Sequence, residues 1–205
     1  MAISYPLAFP SLGIKNITIR ARSVVGVASS PFTFQQQVYQ HAGQMWEAEI
    51  TMPPMKREDA EQLIAFLLKL NGSYGTFTFG DPLNTSPRGV GTGTPLVNGG
   101  SQTGNSLVTD GWTAGQTGIL KAGDWIQLGS GSTSRLYKIL SDANSNGSGQ
   151  ATFDIWPNLR SSPADNAAIN VSSPKGLWRL SSNEIPYTID EASFYGLTLA
   201  CMEAL

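Results

Sequence analysis

This 205-residue chain is poor in the groups that carry chemistry. It has one cysteine, Cys201, and one histidine, His41. A lone cysteine excludes an internal disulfide framework and any multi-cysteine zinc site. Its place in an apolar run near the C-terminus reads as a small buried hydrophobe. Charge is scarce too: 14% of residues are Asp, Glu, Lys or Arg, against about 25% in an ordinary soluble domain. The net charge is −2, with no basic cluster to neutralise phosphates, which argues against nucleic-acid recognition. No apolar run is long enough for a membrane span. The start, Met1-Ala2-Ile3-Ser4-Tyr5-Pro6, lacks the charged and apolar blocks of a signal peptide, so synthesis in a cytoplasm is expected.

Gly, Ser, Thr and Asn fill the space left by charge. That composition, with alternating Thr and aromatics, points to a mainly β protein whose neutral surface is covered by assembly. Ile17, Ile19 and Ala21 alternate with Thr18, Arg20 and Arg22, as in a half-buried strand. A run from Ser30-Pro31 through Tyr39 reads as the next strand, His41-Ala42-Gly43 as a hairpin turn, and Gln44 to Met52 as its return. After Pro53-Pro54, residues 57–70 have the pattern of one amphipathic helix. Ala60, Leu63, Ile64, Leu67 and Leu68 share its apolar face, and Glu58, Asp59 and Glu61 lie in the first turns, where the helix dipole favours negative charge. Asn71-Gly72 stops it, and Tyr74 to Phe79 alternates again.

From Pro82 the chain becomes turn-rich, and short strands joined by turns are expected there. Clearer units follow: a turn and strand over Leu120–Leu128, then strands at Ser134–Leu140 and Ala151–Pro157, spaced as in a small barrel or sandwich. The alternating pattern of the N-terminal third returns at Gly176–Leu180 and in the run Ser193 to Cys201. The expected architecture is a mainly β fold: a β-sandwich with one α-helix, built from residues 1–84 and 176–205, interrupted by an inserted β-barrel-like domain over 85–175. Because loop closure depends weakly on length, a short linker in place of the insert is expected to leave the sandwich folded.

No catalytic, metal or cofactor signature survives inspection. His41 has no nucleophile motif beside it. Glu47 and Glu49 lie on the polar face of a strand. Gly91-Thr92-Gly93 lacks the third glycine and the flanking strand and helix of a phosphate loop. Asp81, Asp110, Asp124 and Asp165 mark turns rather than a calcium loop. Trp125 and Trp156 read as core. Trp112, among Gly and Thr, is the candidate for an exposed ring that stacks on a glycan.

Residues 30–82 carry a family resemblance. Ser30-Pro31-Phe32-Thr33-Phe34-Gln35-Gln36-Gln37-Val38-Tyr39-Gln40-His41, Trp46-Glu47-Ala48-Glu49-Ile50, Pro53-Pro54-Met55, Arg57-Glu58-Asp59-Ala60, Leu70-Asn71-Gly72, Gly75-Thr76-Phe77 and Gly80-Asp81-Pro82 together resemble the distal tail proteins of long-tailed bacteriophages. The resemblance implies a structural virion protein, not an enzyme and without cofactor. It implies a ring, six subunits round, at the tail tip or baseplate, contacting the tail tube protein, the hub and other baseplate proteins. The alternative it leaves is a glycan- or receptor-binding module of the adhesion apparatus.

Overall fold

Alternating side chains build two sheets, and the same chain segments that alternate in sequence line their cores. The computed structural model describes residues 3–191 and 194–205; Ser193, at the start of the expected last strand run, lies outside them, as do Met1 and Ala2. The strands are β1 (Leu7–Ala8), β2 (Asn16–Ser29), β3 (Gln36–Thr51), β4 (Phe77–Phe79), β5 (Gly93–Val97), β6 (Ser106–Trp112), β7 (Trp125–Leu128), β8 (Arg135–Ile139), β9 (Ala151–Trp156), β10 (Ile169–Asn170), β11 (Gly176–Leu180), β12 (Tyr187–Ile189) and β13 (Tyr195–Glu203). The helix α1 spans Arg57–Leu70.

The first sheet has the order β1-β4-β11-β13-β3-β2, with β12 pairing β13 beside this path. Its inward residues fall in register: Ile17 faces Ile50, Ile50 faces Leu199, and Ala48 faces both Ile19 and Cys201. Helix α1 covers one end of this face. Pro53 and Pro54 end the preceding strand, and Asn71 closes the helix in the left-handed conformation (φ 52°), its N–H donating to the Leu68 carbonyl. Ala60, Leu63, Ile64 and Leu67 are buried as expected, together with Phe66 and Leu70. Leu68 is not part of that face. It is 64% exposed, because the helix rotates to bring Phe66 against Phe9 and Phe77.

The second sheet, β10-β7-β8-β9-β6-β5, curls until its ends meet: Leu96 bridges Ala168, and Val97 N–H donates to the Ala167 carbonyl. The result is one nearly closed barrel-like sheet with its own core of Val97, Leu107, Ile126, Tyr137, Phe153 and Ile155. The chain leaves and rejoins the first sheet at a neck where Ser173 N–H donates to the Thr85 carbonyl (3.0 Å). Gly80 is required there, since a Cβ would stand 2.0 Å from the Pro174 carbonyl oxygen.

The barrel is not merely tethered. It covers the other end of the inward face, and Trp125 and Leu136 belong to the first sheet's core. Trp46 packs against Trp125 and Trp156 at 4.7 and 4.3 Å between ring centres, and its indole N–H donates to the Leu136 carbonyl (3.0 Å). Beside it, Arg160 of the barrel pairs with buried Glu203 of β13, which also accepts from the Trp46 backbone N–H (3.2 Å). A large aromatic seam therefore joins the barrel of 85–175 to the first sheet.

Candidate functional site

Among the described residues, none forms a layer over the outermost part of the β2–β3 hairpin. From Ser23 to Ser29 and from Gln36 to Gly43 nearly every residue is exposed, on both faces. The pairs Val25–Gln40, Val27–Val38 and Ser29–Gln36 set one face, and Gly26–Tyr39 and Ala28–Gln37 the other. Val25, Val27 and Val38 thus form an apolar stripe on one side, with Tyr39 on the opposite side donating from its hydroxyl to Gln37 Oε1 (3.3 Å). No Asp, Glu, Lys or Arg occurs between Ser23 and Gly43.

The turn lies at Ser30–Gln35, not at His41-Ala42-Gly43. Ser30 Oγ accepts from the N–H groups of Phe32 and Thr33, Ser30 N–H donates to the Gln35 carbonyl and Phe34 N–H to the Ser30 carbonyl. Ser-Pro initiates turns because proline fixes φ and serine satisfies the backbone N–H groups behind it. Phe34 sits at φ +58°, a conformation uncommon for a non-glycine residue. The turn presents two rings to solvent, Phe32 at 92% and Phe34 at 81% exposure. His41-Ala42-Gly43 instead forms a bulge: the ladder shifts between Ser23–Gln44 and Val25–Gln40, leaving these residues opposite Val24. Gly43 is glycine for closeness, since a Cβ would stand 2.9 Å from Val24 Cγ2. Bulges bend and twist the ribbon that carries them.

Below the bulge the hairpin is held firmly. Arg22 pairs with Glu47 (2.9 Å) and Arg20 with Glu49 (2.8 Å) across the two strands, and the Gln44 amide oxygen accepts from Asn158 N–H (2.7 Å). Glu47 and Glu49 are therefore ion-paired residues of the sheet's open face, and among the described residues they belong to no group of three or more His, Cys, Asp or Glu. The outward face continues through Thr198 and Ala200, both exposed.

Trp112, the expected glycan contact, is in the barrel core at 4% exposure. Its ring meets Phe153 edge-on at 5.6 Å, and its N–H donates to Thr109 Oγ1 (2.8 Å). Trp112 is the last residue of β6 and takes one of its inward positions, which overrides the turn-like composition around it. Trp46, Trp125 and Trp178 are also buried, and Trp156 is half-buried against Trp46. Burial pushes the Cys201 thiol up to about 12, so it stays protonated and inert. Among the described residues no group of three or more His, Cys, Asp or Glu is placed to hold a metal, and no described helix is long and apolar enough to cross a membrane.

The sequence shows Phe32, Phe34, Val38 and Tyr39 as apolar, but not that they are uncovered. The signal that marks them is the unbroken absence of charge from Ser23 to Gly43 around a Ser-Pro turn. Against known families, no family model matches this chain, and no curated protein matches it either.

Proposed function

We propose that this chain is a structural subunit of a ring at the distal end of a bacteriophage tail, six copies joining the tail tube to the hub and baseplate proteins. The observation that carries the reading is the uncharged hairpin arm of Ser23–Gly43. An isolated two-stranded ribbon is marginal in water, and this one exposes valines and phenylalanines that a monomer would keep covered. Such an arm makes sense where other subunits complete it. The open outer face of the first sheet, with its Arg20–Glu49 and Arg22–Glu47 pairs, offers a second broad surface for neighbours, and the resemblance of residues 30–82 to distal tail proteins supplies the assembly in question. The work of such a subunit is geometric rather than catalytic.

For the glycan- or receptor-binding alternative, Trp112 is the candidate contact, and its ring lies in the barrel core. Quantitative mass spectrometry of purified virions tests the ring. Six copies per tail, at the ratio of the hub-proximal tube ring, are expected; one copy per virion would defeat the proposal.

A further inference from the structure

The rings of Phe32 and Phe34 are presented by a hydrogen-bonded turn, at the far end of a strand whose near end borders an apolar groove. Leu12, Ile14, Ile17, Ile19, Pro82 and Leu83 line this groove, about 540 Å³ in volume, with Lys15 and Asp81 at its rim. Ile17 and Ile19 are half-buried, and Leu83 is 92% exposed. Concave sites of roughly 300–1,000 Å³ suit compact apolar groups.

We propose that the Phe32–Phe34 tip of one subunit docks in the Leu12–Ile19/Pro82–Leu83 groove of a second copy of this chain. The proposal rests on the ring reading and names the contact that closes it. Three observations select a second copy. Tip and groove lie at opposite ends of β2, separated by about 35 Å of strand at ~3.3 Å per residue, so a chain does not fill its own groove. The tip and arm carry no Asp, Glu, Lys or Arg, so they bring no unpaired charge into the contact, and the groove's mainly apolar lining includes one cation, Lys15, and one anion, Asp81. Size matches: two phenyl rings suit a groove of about 540 Å³, and the stripe of Val25, Val27 and Val38 extends the apolar surface back along the arm from the tip. Because the two patches differ, the contact is head-to-tail, which yields rings when the rotation closes.

The test uses the full-length chain in sedimentation velocity. Wild type is expected to form a closed ring. The tip variant F32S/F34S and the groove variant L83D should each sediment as a 21.9 kDa monomer, with the far-ultraviolet circular dichroism spectrum of wild type because all three side chains are exposed. Mixing the two variants should give a 1:1 dimer and nothing larger, since one intact tip meets one intact groove. Independently, F34C/L83C should form intersubunit disulfide ladders, with the buried Cys201 not competing. Rings that persist in F32S/F34S, or a mixture that stays monomeric, would overturn the docking while leaving the ring reading standing. A wild-type chain that is monomeric at every concentration would overturn both.

Discussion

Asp124 is wholly enclosed, yet its carboxylate is a working acceptor. It receives the backbone N–H groups of Arg88 (3.0 Å), Gly89 (3.1 Å) and Lys121 (2.8 Å), and the Arg88 side chain at 3.3 Å. Burial alone would raise its pKa above the ordinary value of 3.8; the donors from Lys121, Arg88 and Gly89 outweigh it and hold the group below. A carboxylate depressed in the folded state contributes stability that is present above the unfolded value and lost as pH falls through the folded one. Asp124→Asn should therefore cost at least about 2 kcal/mol at neutral pH, because the amide turns one acceptor into a donor facing N–H groups. It should also flatten the loss of stability below about pH 4, and urea titrations across that range read both effects. The sequence shows Asp124 as a turn residue and nothing more. Its burial follows from the loop at Arg88–Gly89 folding over it, a contact across many residues that local composition does not encode. Trp112 was illegible for the same reason in reverse.

The Arg160–Glu203 pair is the other residue-scale test. Removing one partner of a buried pair leaves an uncompensated charge and costs ~3–5 kcal/mol, whereas replacing both with apolar groups is often neutral. Arg160→Leu should thus be markedly destabilising, and the double variant with Glu203→Leu milder than the single one in a double-mutant cycle.

At the scale of elements, helix α1 is where sequence and structure agree most closely, because its signals are local. Prolines precede it, acids fill the first turn, and Asn71-Gly72 caps the end. Yet the buried face includes Phe66 and Leu70 and excludes Leu68, since the neighbours that choose the rotation are distant in sequence. Ile64→Ala should cost ~2–5 kcal/mol, while Leu68→Ser should change stability by less than about 0.5 kcal/mol; thermal melts of the pair separate a docked helix from a merely helical one. The hairpin was less legible. His-Ala-Gly and Ser-Pro both have turn chemistry, and which becomes the turn is settled by cross-strand register, where Ile17–Ile50 and Val27–Val38 pair only if the chain reverses at Ser30–Gln35.

At the scale of the whole molecule, the β-rich architecture with one helix was written in alternation and turn spacing, but the joining of the two sheets was not. Excising residues 85–175 for a short linker shows what the junction is worth. The loop-closure gain is small, because its cost grows only as the logarithm of length and comes to ~2 kcal/mol here. Against it, uncovering Trp46 returns ~150–250 Å² of ring to water, about 4–6 kcal/mol at ~25 cal/mol/Å². Glu203 loses Arg160 as well. The sum approaches the entire ~5–15 kcal/mol stability of a domain. The excised chain should therefore keep strand signal in far-ultraviolet circular dichroism but lose a cooperative melt. Trp46→Thr with Glu203→Gln in the same excised chain should restore part of it, by removing the two groups that have no other cover. An excised chain that melts as sharply as wild type would mean the first sheet and its helix hold themselves together, and the aromatic seam only orients the barrel.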